Sequence, residues 1–73
     1  MKKNQLIIDG IYRHKKGKLY QVKTLAIHSE TLEEMVVYEC LYENELGKTW
    51  VRPLEMFLER FEYIGDQKGR TIL

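Results

Sequence analysis

The sequence predicts a small all-β domain, and three observations carry that reading. Short runs rich in β-branched and aromatic residues recur along the chain, the clearest being Met35-Val36-Val37-Tyr38. Turn-forming residues separate the runs at Asp9-Gly10, Gly17, Gly47 and Gly65-Asp66. Pro53 ends the fourth run, because proline has no amide hydrogen to give to a ladder.

Taken in order, Gly10–His14 reads as a first strand after the Asp9-Gly10 turn, with a short strand at Leu6–Ile8 as a possible lead-in. Lys15-Lys16-Gly17-Lys18 is a polar loop whose glycine tolerates a positive φ. A second strand follows over Leu19–His28, and its alternation places Tyr20, Val22, Thr24, Ala26 and His28 on one side. Ser29–Glu33 connects to a third strand over about Glu34–Glu43, apolar on both faces as a central strand would be. Helical spacing of Leu32, Met35 and Val36 makes a helix over Thr31–Leu41 the competing reading, and the run Val36-Val37-Tyr38 argues against it.

Asn44–Lys48 is the next hairpin loop, and Thr49–Arg52 the fourth strand. Pro53 suits the start of one helical turn over Leu54–Leu58, after which Glu59–Ile64 forms the last strand. Five short strands with a single helical turn before the last describe an SH3-like barrel, whose closure removes sheet edges that invite aggregation. An OB-type barrel would need more residues and a longer helix. The expected division is an arm over 1–9, the barrel over 10–66 and a tail over 67–73.

Bulk composition narrows the function classes. Seventy-three residues allow one domain, which would bury only about 60% of its unfolded surface. At 44% hydrophobic and 11% aromatic this is a folding chain. A deep substrate pocket would consume core that such a domain needs, which favours surface binding over catalysis. Twelve Lys and Arg against eleven Asp and Glu give no strongly basic balance of the kind nucleic-acid binders carry. The charges are nevertheless segregated, with basic residues crowding the first third and glutamates the middle. Cys40 is the only cysteine, so no internal disulfide can form and a reducing compartment fits. The apolar run Leu6-Ile7-Ile8 is far too short for a signal-peptide core or a membrane span. The chain reads as cytoplasmic, with no membrane association.

Several linked motifs carry a resemblance. These are Gly10-x-Tyr12-Arg13-His14-x-Lys16-Gly17, then Ala26-x-His28-Ser29-Glu30-Thr31, and Trp50-Val51-Arg52-Pro53-x-x-Met56-Phe57. Over roughly residues 10–62 the chain resembles a family of small, mainly bacterial domains of unknown function. That resemblance implies a compact β-domain, usually standing alone, with no established activity and no catalytic residues to carry over.

The polar residues can be weighed one group at a time. His14 and His28, with Glu30 or Cys40, sketch a zinc site or a small active site, but zinc favours closely spaced ligand pairs that are missing here. His28-Ser29-Glu30-Thr31 holds an imidazole, a hydroxyl and a carboxylate, yet neighbours on an extended strand point to opposite sides. Ser29 and Thr31 read better as hydroxyls satisfying a tight connection. No metal, cofactor or catalytic residue is expected, and Cys40 reads as a small buried hydrophobe.

Trp50 and Arg52 share one side of the fourth strand, where an indole and a guanidinium can anchor a peptide. The preferred reading is a non-enzymatic module that recognises a peptide or protein partner through Tyr12, His14, Lys16, His28, Glu30, Trp50 and Arg52. Tyr12 and Trp50 would supply flat contact, Lys16 and Arg52 charge, and the histidines and Glu30 orientation. The alternative is single-stranded nucleic-acid binding, should Arg13, His14, Lys16, Lys18, Trp50 and Arg52 converge. A homodimer pairing through Leu6–Ile8 or the third strand stands beside the monomer.

Overall fold

The computed structural model describes residues 6–66. The terminal segments 1–5 and 67–73, read as parts of the arm and the tail, lie outside the described residues. The elements are β1 (Gly10–His14), β2 (Leu19–Ile27), β3 (Glu34–Cys40), β4 (Thr49–Pro53), α1 (Leu54–Arg60) and β5 (Phe61–Asp66). The strands form one antiparallel sheet in the order β4-β3-β2-β1-β5. Among the described residues no ladder joins β4 to β5, so this is an open sheet with a short helix rather than a closed barrel.

Residues 34–40 are strand, as the β-branched run requires, and not helix. The third strand is shorter than expected and ends at Cys40, after which the Leu41 amide still donates to the Leu19 carbonyl at 3.0 Å and the chain bends away. Leu6–Ile8 is not a strand. It leads into a turn in which the Ile7 carbonyl accepts from the Gly10 amide at 3.0 Å, and the Asp9 amide donates to the Val22 carbonyl at 2.8 Å. The helix runs past its expected end, and Glu59 and Arg60 belong to it rather than to the last strand. Leu54, Phe57 and Phe61 recur at helical spacing and all three are buried, so burial carries the helix to the edge of β5.

A bulge corrects the alternation expected of β2. Val22 pairs with Tyr38, but the next matched pair is Thr24 with Val37, which leaves Lys23 as the extra residue. Beyond it Leu25 faces Val36, so Leu25 and not Ala26 continues the face begun by Tyr20 and Val22. A second bulge at Ile64 separates the pairs Ile11–Gly65 and Tyr12–Tyr63.

One sheet face and α1 enclose the core of Tyr12, Val22, Val36, Tyr38, Leu54, Phe57 and Phe61. It is held largely by rings. Phe57 and Phe61 stack at 4.1 Å with an interplanar angle of 6°. Tyr12 and Tyr38 each meet Phe57 edge-on at 5.1 Å. Aromatic contacts of this kind add about 0.5–1.5 kcal/mol each beyond area burial, a useful increment in so small a domain. Among the described residues no helix is long and apolar enough to cross a membrane.

Candidate functional site

The sheet register gathers a set of polar and aromatic side chains at one end of the core face. His14 on β1 lies opposite Phe61 on β5, and Tyr20 on β2 lies opposite Cys40 on β3. Tyr38 on β3 lies opposite Trp50 on β4, and Arg52 shares that face two residues on. Every strand therefore contributes to one seat. Tyr38 and Phe61 form a buried floor, while His14, Tyr20, Tyr42, Trp50 and Arg52 make a half-buried rim.

Direct contacts join these groups. The His14 ring meets Phe61 edge-on at 4.8 Å, and the Arg52 guanidinium lies over the same Phe61 ring at 5.3 Å. Arg52 Nε donates to the Tyr38 hydroxyl at 3.3 Å. The hydroxyls of Tyr20 and Tyr42 are 2.7 Å apart, and Lys18 Nζ lies 4.6 Å from the centre of the Tyr42 ring. Trp50 Nε1 donates to the Gly47 carbonyl at 3.2 Å, which ties the indole to its own hairpin.

His14 sits in a positive environment. Its pKa is lowered from the ordinary 6.5, first by partial desolvation and then by the charges of Arg52, Lys16, Arg60 and Lys15. Its Nδ1 accepts from the Lys16 amide at 3.0 Å, so the neutral ring carries its proton on Nε2. Burial raises the Tyr20 pKa from 10.0, and the hydrogen bond with Tyr42 adds to it. An unfolded tyrosine ionises near 10 while folded Tyr20 holds its proton, so this contribution is intact below that pH and is lost above it. We predict a melting temperature that falls as the pH rises above about 10, and a shallower fall in Tyr20→Phe. Equal slopes in the two proteins, followed by circular dichroism, would remove Tyr20 as the cause.

The sequence-predicted residues divide. His14, Trp50 and Arg52 belong to the seat, and Lys16 is exposed in the turn beside it. Tyr12 is 3% exposed and is a core residue, its hydroxyl accepting from the Ile7 amide at 3.1 Å. It has no flat surface to offer a partner. His28 and Glu30 lie beyond the far end of β2, separated from His14 by up to roughly 30 Å of strand. There His28 Nδ1 accepts from the Glu30 amide at 3.1 Å and the Thr31 amide at 3.3 Å. Thr31 Oγ1 accepts from the Glu33 amide at 3.2 Å, as a hydroxyl satisfying a tight turn should. His14, His28 and Glu30 thus do not converge. Among the described residues no group of three or more His, Cys, Asp and Glu side chains could hold a metal ion.

Sequence reasoning passed over Tyr20, Tyr38, Tyr42 and Phe61 as site residues. The alternation of Tyr20 with Val22 and of Tyr38 with Cys40 signals a shared face, but the loop position of Tyr42 carries no such signal. A separate cleft of 450 Å³ lies between the start of β3 and α1, lined by Pro53, Leu54, Met56 and four glutamates. Acids thus gather at this cleft, while cations outnumber acids around His14.

A family model described as a protein of unknown function, DUF1653, matches residues 10–70. The chain belongs to the DUF1653 family. The crystal structure of a DUF1653 protein from Bordetella bronchiseptica is similar, with 32% identity over 92% of this chain and 99% of that one, and a TM-score of 0.78. Comparison with curated proteins gives no match. DUF1653 membership agrees with the resemblance drawn from the motifs, and it assigns no activity.

Proposed function

We propose that this DUF1653 domain is a non-enzymatic binding module of half-open, SH3-like form that receives a peptide segment of a protein partner in the aromatic seat. The observation that carries this reading is the convergence of side chains from all five strands on one seat, with a buried floor of Tyr38 and Phe61 and a half-buried rim. The rim presents ring edges, tyrosine hydroxyls and a guanidinium, a composition suited to protein recognition. The unpaired Cys40 thiol fits a reducing compartment, and we place the protein in the cytoplasm.

Single-stranded nucleic acid is the second reading, favoured by Lys15, Lys16, Lys18 and Arg60 around the seat. Against it, Tyr20, Tyr38, Tyr42 and Phe61 already meet one another edge-to-face, which leaves less of their ring surface for stacked bases. Selection from a displayed random-peptide library, followed by amide NMR mapping, tests the first reading. The expected outcome is a set of peptides that shift His14, Trp50 and Arg52 and keep most of their affinity in moderate salt. Peptides that bind only elsewhere would refute it, and steep salt dependence with an oligonucleotide at the same residues would favour the second.

A further inference from the structure

We propose that the seat is specific for an acidic peptide segment, one carboxylate of which is held by the terminal guanidinium nitrogens of Arg52 and by Nε2–H of His14. This rests on the reading that the seat binds peptide, and it names the chemistry of the partner.

Arg52 is oriented but not neutralised. Its Nε is engaged by the Tyr38 hydroxyl and its plane lies over Phe61, which leaves the outer edge of the fork open. Among the described residues it has no carboxylate within ion-pair distance, whereas Arg13 pairs with Glu62 at 3.6 Å and Lys48 with Glu39 at 3.8 Å. A guanidinium fixed in this way has lost its rotamer freedom before the ligand arrives, and its geometry matches a carboxylate.

His14 meets the same Phe61 ring edge-on at 4.8 Å. Because Nδ1 is occupied by the Lys16 amide, Nε2–H is the donor left for a ligand. The surrounding cations are Arg52 on β4, Lys15 and Lys16 in the turn, and Arg60 on α1. Glu59 and Glu62 line the 570 Å³ cleft that His14, Phe61, Lys15 and Arg60 also line, and Glu62 is paired with Arg13. The excess at the seat is therefore cationic, and charge complementarity selects an acidic occupant. Tyr20, Tyr38, Tyr42 and Phe61 already meet one another edge-to-face, which leaves less ring surface for stacked bases and sets an acidic peptide ahead of a nucleic acid.

The test is an NMR titration of the full chain with hexaglutamate, with a pool of neutral peptides and with decathymidylate. Hexaglutamate is expected to give saturating shifts at Arg52 Nε–H, the His14 ring and the Trp50 indole. It should also raise the titration midpoint of His14, because a bound carboxylate offsets the four cations. Arg52→Gln should lower affinity by at least about tenfold, and Lys16→Gln, at an exposed position, by about two- to threefold. Hexaglutamate that leaves the seat unmoved, or binds Arg52→Gln unchanged, overturns the proposal. If neutral peptides shift the seat while hexaglutamate does not, the acidic specificity fails and the peptide reading stands. If neither does, both fall. Tighter binding of decathymidylate at the same residues overturns both in favour of nucleic acid.

Discussion

Phe57→Ala is expected to leave the domain largely unfolded at physiological temperature. Phe57 is 0% exposed and lies on the second turn of α1, where it is the common neighbour of Tyr12, Tyr38 and Phe61. Truncating a buried phenylalanine costs about 3–5 kcal/mol, from lost transfer energy and from the cavity left behind. A chain of 73 residues has roughly 4–11 kcal/mol of stability in all, so the loss is a large share of it. The melting temperature should fall by roughly 10–40 °C, read by near-ultraviolet circular dichroism. A fall below about 5 °C would mean that the ring cluster is not the centre of the fold. Phe57→Leu should keep a cooperative transition while loosening Phe61, and with it the floor beneath His14 and Arg52. Core and seat are therefore coupled: the ring that anchors the helix also supports the groups that face a ligand.

That coupling explains which parts of the molecule were legible in the chain. The strands were, because Val36-Val37-Tyr38 and the turn residues between the runs are local signals that tertiary contacts reinforce. Register was not. The Lys23 bulge depends on how β2 meets β3, and it reverses the facing of every later residue in β2. The end of α1 was missed although Leu54, Phe57 and Phe61 carry the helical spacing, because Phe61 also begins a strand pattern with Tyr63. Trp50 and Arg52 were legible as partners since two-residue spacing on one strand guarantees a shared side. Tyr12 was misplaced because Ile11 and Tyr12 are both buried, so alternation alone could not tell which face was core. His28 resembles His14 in ending a strand expected from the sequence, yet it lies at the other end of the sheet. Nothing local encodes that distance.

Gly10→Ala is the second substitution expected to act strongly, and it separates stability from recognition. A methyl group at Gly10 would stand 2.9 Å from the Ile7 carbonyl oxygen, 2.9 Å from Tyr63 Cε1 and 3.1 Å from Ile7 Cβ. Tyr63 is 45% exposed and its ring can swing aside. The Ile7 carbonyl cannot move as easily. It accepts from the Gly10 amide at 3.0 Å, and the turn is pinned at Asp9 to Val22 at 2.8 Å and at Ile7 to the Tyr12 hydroxyl at 3.1 Å. Overpacking of this sort costs about 1–3 kcal/mol, a melting shift of roughly 5–20 °C in a domain of this size. The seat should be spared, because Gly10 and His14 are at opposite ends of β1, about 13 Å apart along an extended strand. We therefore expect Gly10→Ala to lower the melting temperature and the exchange protection of the Asp9 amide while the His14, Trp50 and Arg52 signals stay in place. An additional Tyr63→Ala should not restore stability, since the backbone contact remains. Full rescue by that second change would show that the ring, and not the turn, sets the requirement for glycine.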